Sequence, residues 1–211
     1  AEVVALVRRA GAFDTEGRLA SLRTEGTIRL VHMGVTGKES SLAAADGRYR
    51  SDVDLGAFGR MATIAGLEKG RSDSGFARNY ELIGEKLEEA RLQSPLFWAR
   101  DWEKAFETIT VVGAEEHKGE PVYVLRMSRR GTPDVLIRIS KATGLPAAIE
   151  FTQSTIGSGP LQVVYRLSDY REVNGVKLAH RTEIQFPMMG TIVSQWERAE
   201  ANPALDAAAF E

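Results

Sequence analysis

Apolar positions recur along this chain with two different periods, and the switches between them mark out its elements. Near the start, Val4, Leu6, Val7 and Ala10 share one stripe at helical spacing. This predicts a helix over residues 3–10, stopped by Gly11. Leu19 to Leu22 reads as a second short turn. The period then becomes two. Thr27–Val31, Leu42–Ala45, Tyr49–Leu55 and Met61–Ala65 read as strands, with Gly34 and Gly37 as turn residues and Asp46-Gly47 as a hairpin signal.

The middle of the chain returns to the helical period. Between Asn79 and Leu92, Ile83, Leu87 and Ala90 recur at helical spacing, with Glu85, Lys86, Glu88 and Glu89 between them. Ser94-Pro95 reads as the cap and first position of a further short helix through Trp102. Helical structure is therefore expected over about 81–102, in a segment that carries Leu92, Leu96, Phe97, Trp98 and Trp102. Seven strands follow, near Glu107–Ala114, Val122–Arg129, Val135–Lys141, Ala147–Ser154, Leu161–Val173, Val176–Phe186 and Thr191–Ala201. Their turns are marked by Lys118-Gly119, Gly131-Thr132-Pro133, Thr143-Gly144, Gly157 to Pro160, Asn174-Gly175 and Gly190. Spacers this short force antiparallel neighbours, because a parallel crossover needs about a dozen residues or more. The fold class is α+β, mostly β: about eleven antiparallel strands interrupted once by helices. No repeat or linker breaks the series, which predicts one domain over residues 1–211.

Several strands carry apolar residues on both faces. Leu161, Val163, Tyr165 and Leu167 share one face while Val164 and Tyr170 lie opposite; Val122 and Val124 oppose Tyr123, Leu125 and Met127. A sheet with one solvated face would alternate more cleanly. Two arrangements account for this: a sandwich or outer helix filling a core, or a curved sheet whose concave face lines a cavity under a helical lid. In the second, an apolar ligand would meet Ile83, Leu87, Leu92, Leu96, Phe97, Trp98 and Trp102, with Met188-Met189 as a flexible rim. Glu85, Glu88 and Glu89 would keep the outer side of the lid wet. Core packing of the same residues is the competing reading.

Charge and composition narrow the function. The 27 basic and 29 acidic residues leave a net charge of -2, with no basic run longer than a pair, so neither nucleic acid nor an anionic membrane is the expected partner. There is no cysteine, hence no disulfide, thiol nucleophile or thiolate metal site. No run approaches the roughly 18 apolar residues of a membrane span. The three histidines, His32 in a strand, His117 beside a turn and His180 in a strand, show no metal-ligand spacing. Ser72-Asp73-Ser74-Gly75 faintly resembles a serine-protease motif, yet no G-x-S-x-G elbow exists. The pairs Glu88-Glu89, Glu115-Glu116 and Asp52/Asp54 read as solvated surface, and Gly66, Gly70 and Gly75 are too far apart to cradle a phosphate. Neither a catalytic site, a metal nor a cofactor is expected.

Taken in order, certain stretches resemble the outer-membrane lipoprotein carrier (LolA-like) family and its lipoprotein-sorting relatives. They are Arg23 to Thr27 leading to Gly34-Val35-Thr36-Gly37, Thr110 to Leu125, Ile139 to Leu145, Tyr165 to Leu178, and Asn202-Pro203-Ala204-Leu205-Asp206 to Phe210. The resemblance spans nearly the whole chain and rests on the order of turns and strands. It implies a half-open antiparallel barrel with helices over its concave face, a periplasmic location, and an apolar cavity holding a lipid or lipoprotein acyl chain. Gly66 to Tyr80 departs from the family pattern, being rich in glycine and charge where relatives carry a G-x-x-x-W-like strand. Two other readings stay open: a structural or protein-interaction domain of a larger cell-envelope protein, and a periplasmic serine hydrolase using the Ser72–Gly75 loop.

Overall fold

The computed structural model describes residues 2–75, 79–155, 159–187 and 190–211. The chain opens with α1 (Glu2–Arg9), followed by β1 (Ser21–Leu30), β2 (Val35–Ala44), β3 (Tyr49–Asp54), β4 (Arg60–Ala65), β5 (Gly70–Ser74) and β6 (Tyr80–Leu82). Three short helices interrupt the strands: α2 (Glu85–Arg91), α3 (Pro95–Ala99) and α4 (Trp102–Ala105). The series resumes with β7 (Thr108–His117), β8 (Glu120–Ser128), β9 (Val135–Ser140), β10 (Pro146–Thr155), β11 (Gly159–Val173), β12 (Val176–Phe186) and β13 (Gly190–Ala201).

All thirteen strands lie in one antiparallel sheet, in the order β6-β5-β4-β3-β2-β1-β13-β12-β11-β10-β9-β8-β7. Every neighbouring pair but one is a hairpin of adjacent sequence. The exception is β1 with β13, registered from Leu22 opposite Ala201 to Leu30 opposite Ile192. The sheet is open, and the free edges fall on β6 and β7. It is also strongly curved. In the strand order β4 and β10 stand seven positions apart, about 33 Å in a flat sheet at roughly 4.8 Å per strand. Yet the single helix α2 touches both. The half-open barrel with helices against its concave face is thus the observed architecture.

Sequence and structure differ at particular places. Among the described residues the sheet has thirteen strands, two more than expected, because β5 and β6 leave no signal in the sequence. Gly70-Arg71-Ser72-Asp73-Ser74 carries no apolar residue on either face, so its period of two has nothing to show it, and β6 is only three residues long. Asn79 to Leu82 is accordingly not helical, and the helix begins after Gly84, whose φ of +54° ends the strand. Leu22 belongs to β1 rather than to a turn. His32 sits in the turn between β1 and β2, not in a strand. Gly37 lies inside β2, where a Cβ would come within 2.3 Å of the Asp54 carbonyl oxygen. Glycine there permits close approach of β3 and makes no turn.

Two groups of buried side chains surround the helices, and a third lies apart on the sheet. Val3, Val4 and Val7 of α1 meet Phe97, Trp102, Phe106 and the inner face of β8–β10. Leu87 and Ala90 of α2 and Leu96 and Ala99 of α3 meet Leu22, Tyr49, Leu82, Val176 and Leu178. Ile28, Leu30, Val35, Val53 and Leu55 form a separate cluster on the first half of the sheet. Arginines fasten the helices to the neighbouring turns. Arg91 donates to the carbonyls of Gly66 (2.7 Å) and Leu67 (2.6 Å), and both Arg91 and Arg129 reach Glu88. At the far edge β7 is almost wholly exposed, with Val111 and Val112 at 50% and 47% beside a bulge at Val111/Gly113.

Candidate functional site: a cavity under the helices

Between the helices and the concave face, the buried clusters leave a cavity of about 370 Å³. Its wall changes character from one half of the sheet to the other. Ile149 and Phe151 of β10, Tyr165 and Leu167 of β11, Ile184 and Phe186 of β12 and Ile192 of β13 supply an apolar surface. Phe151 and Tyr165 stack nearly parallel there, with ring centroids 5.4 Å apart. Thr24 of β1, Ser41 and Glu39 of β2, Ser51 of β3, Thr63 of β4 and Ser72 of β5 supply hydroxyls and one carboxyl, interrupted by Ile28, Val53 and Met61. Thr24 and Ser41 hydroxyls satisfy each other at 2.7 Å. These positions follow from the period of two: along β2, Val35, Glu39, Ser41 and Ala43 all point inward.

Glu39 is the unusual member. Its carboxylate accepts a hydrogen bond from Ser194 Oγ, and among the described residues no ion pair reaches it. Burial pushes its carboxyl up to about 7, against the smaller lowering effect of the Ser194 hydrogen bond. Burial likewise raises the Tyr49, Tyr165 and Tyr170 hydroxyls above the ordinary range, so all three are neutral donors near neutral pH. Tyr170 donates to the Pro146 carbonyl at 2.7 Å. Glu39, Val53, Met61 and Ser74 also line an adjoining open groove of about 970 Å³, so the cavity meets solvent on the β2–β5 side.

The residues anticipated for a ligand site fall in four places. Leu92 and Trp98 line the cavity, and the Trp98 indole donates to the Leu92 carbonyl at 2.7 Å, which fixes its ring. Leu87, Leu96, Phe97 and Trp102 are buried in the surrounding clusters. Trp102 is fully enclosed, edge-on to Phe13 at 4.8 Å between centroids. Ile83 is 57% exposed at the joint before α2. Met188 and Met189 lie outside the described residues. Of the three lid glutamates only Glu85 faces solvent: Glu88 is held by two arginines, and Glu89 is buried at the cavity wall because α2 is covered on more than one side. The strand residues of both walls escaped the sequence reading, although Ile149/Phe151 and Ile184/Phe186 carry the alternation that marks an inward face.

Ser72 and Ser74 are on β5 rather than in a loop, with their serine side chains at the cavity. No histidine is among its lining residues; His180 is buried elsewhere, against Trp196, with Nδ1 3.1 Å from the Leu178 carbonyl oxygen. Among the described residues, no group of three His, Cys, Asp or Glu side chains is placed to hold a metal ion. No described helix is long and apolar enough to cross a membrane.

No family model and no curated protein sequence matches the chain. Solved structures do. A LolA-superfamily protein from Nitrosomonas europaea superimposes with a TM-score of 0.61 at 14% identity, over 98% of this chain and 96% of that one. The fold is LolA-like. An outer membrane lipoprotein-sorting protein domain from Vibrio parahaemolyticus shares the LolA-like fold with a TM-score of 0.57 at 13% identity, over 98% and 95% of the two chains. A DUF1329-family protein from Desulfovibrio piger superimposes with a TM-score of 0.62 at 16% identity, over 100% and 96%.

Proposed function

We propose that this chain is a non-catalytic carrier that holds a lipid or lipoprotein acyl chain in its apolar cavity, acting in the periplasm as one domain over residues 1–211. The observation that carries the reading is the space of about 370 Å³ beneath the helices, walled largely by apolar side chains from β10 to β13. That volume falls within the roughly 300–1,000 Å³ of small-molecule sites. An alkyl chain gains about 25 cal/mol for each Å² it hides from water. In this reading Leu92 and Trp98 meet the chain directly from the helical side. Leu87, Leu96, Phe97 and Trp102 hold the helices that close over it, and Met188-Met189 serves as the rim. Release requires the helices to move, against the grip of Arg91 on the Gly66 and Leu67 carbonyls.

Native mass spectrometry of protein taken from its host tests the proposal: a co-purifying lipid mass is expected, and the delipidated protein should take up N-phenyl-1-naphthylamine. Neither a bound mass nor uptake would refute it. No turnover of a p-nitrophenyl acyl ester above background is expected; turnover lost in Ser72→Ala or Ser74→Ala would establish a hydrolase instead. A second reading, a protein-interaction domain of a larger envelope protein, draws on the exposed β7 edge with Val111 and Val112. It gains ground if the cavity stays dry and empty.

A further inference from the structure

The two halves of the cavity wall are chemically different, and the difference bears on what kind of amphiphile fits. The wall from β10–β13 is mostly apolar but includes Gln153, Thr182 and Ser194, while Thr24, Ser41, Ser51, Thr63, Ser72 and the Glu39 carboxyl come from β1–β5 among Ile28, Val53 and Met61. Glu39 also lines the open groove, so it stands where the cavity meets water. A ligand with its alkyl chain against Phe151, Tyr165 and Ile184 would therefore leave its polar end beside Glu39. The other carboxylates at the wall differ from it. Asp73 is matched by Arg71 at 2.9 Å on its own strand, and Glu89 is carried by α2. Cations also line the space: Lys86 lies over the Tyr80 ring at 5.6 Å, and Lys177 stands on β12, whose backbone N–H donates to Gly11.

A half-buried carboxyl with a single hydroxyl donor keeps unused acceptor capacity. It is best completed by a donor brought in with the ligand, and it disfavours a second carboxylate placed against it. From this geometry we infer that the cavity selects amphiphiles whose head group donates hydrogen bonds and carries no negative charge, an amine or hydroxyl head, which docks on Glu39 beside Ser194. This rests on the carrier reading and specifies its ligand class. The raised titration of Glu39 is consistent with it, since an ammonium head would bring the carboxyl back toward its ordinary range.

The test uses the full chain and three ligands of equal chain length: dodecylammonium, 1-dodecanol and dodecanoate. Each displaces N-phenyl-1-naphthylamine from the cavity at pH 7.5. Dodecylammonium should bind about tenfold or more tightly than dodecanoate, with dodecanol between them. Glu39→Gln should shrink that ratio to about threefold or less. Ser194→Ala, which keeps the carboxyl, should retain the preference. If Glu39→Gln does not fold, Glu39→Ser provides the same comparison. Dodecanoate binding as tightly as dodecylammonium, or a preference that survives in Glu39→Gln, overturns the head-group assignment while the carrier reading stands. If the naphthylamine never enters the cavity, the carrier reading falls and takes the assignment with it.

Discussion

Replacing Glu39 by glutamine should make the protein more resistant to neutral pH, and the effect can be sized from the position of the carboxyl. Its ordinary value is 4.5, and in the folded chain burial carries it to about 7. Each unit corresponds to about 1.4 kcal/mol, so the shift amounts to roughly 3 kcal/mol. The sign follows from proton binding. Between pH 4.5 and 7 the folded state holds a proton that the unfolded state has released, so stability falls as pH rises through that window. Above about 7 the whole cost is present, and below 4.5 it is absent. Glutamine carries no titrating proton and keeps a donor and an acceptor in the same place. The stability of Glu39→Gln minus that of the parent should therefore climb by up to about 3 kcal/mol between pH 4.5 and 7.5, then level off. Tyr49, facing Glu39 from β3, is neutral throughout, and the histidines are common to both proteins and cancel. Urea midpoints at half-unit intervals of pH, with unchanged slopes, provide the measurement. A difference that is flat with pH, or that falls as pH rises, would refute the assignment of a half-buried, proton-holding Glu39.

The two tryptophans should separate core from cavity. Trp102→Ala should cost about 3–5 kcal/mol in chemical unfolding, because the ring is fully enclosed; Trp98→Ala should cost less and reduce naphthylamine uptake. Equal losses for both would remove Trp98 from the proposed site. Gly37→Ala should destabilise by about 1–3 kcal/mol, since the added carbon meets the Asp54 carbonyl oxygen at 2.3 Å; a neutral result would show that β3 can move aside. Glu88→Ala strips Arg91 and Arg129 of their shared carboxylate and should cost about 1–3 kcal/mol. It should also speed hydrogen exchange in α2, and unaltered exchange would mean that the carbonyl contacts of Arg91 suffice to hold the helix.

Most strands that carry apolar alternation were legible in the sequence to within a few residues, but β1 and β2 begin six and seven residues before the expected Thr27 and Leu42. The turns at Asn174-Gly175 and Lys118-Gly119 were legible too. Asn174-Gly175 and Lys118-Gly119 sit at the hairpin tips where residues adopt φ of +48° to +83°. What escaped was whatever lacks an apolar signal. β5 is built from glycine, arginine, serine and aspartate, and its only marks are a register and the hydroxyls it turns inward. The helical segment was legible as helix and as aromatic-rich. Its finer arrangement was not, because Leu92 and Trp98 have the same apolar chemistry as Leu96 and Phe97 and differ only in what lies beside them. Glu39 was invisible for a different reason. A carboxylate in a serine-rich strand reads as surface until the pairing of β2 with β1 and β3 shows which way it faces.

The pairing of β1 with β13 sets the order in which this chain can assemble. Every other junction joins segments adjacent in sequence, which can zip as soon as they are synthesised. This one brings Leu22 against Ala201, and so encloses nearly the entire polypeptide in a single loop. Loop-closure entropy grows only slowly with length, so the ends lose little by being distant once the two series of hairpins exist. Long-range pairings nevertheless dominate the time a chain needs to fold. The junction lies at the middle of the sheet, opposite the helices, where each half would otherwise present a bare strand to solvent. Such a pathway produces two half-sheets that meet late. A chain cut short before Gly190 would keep its hairpins, lose the seam, and offer the naked side of β1 to any other strand it encounters.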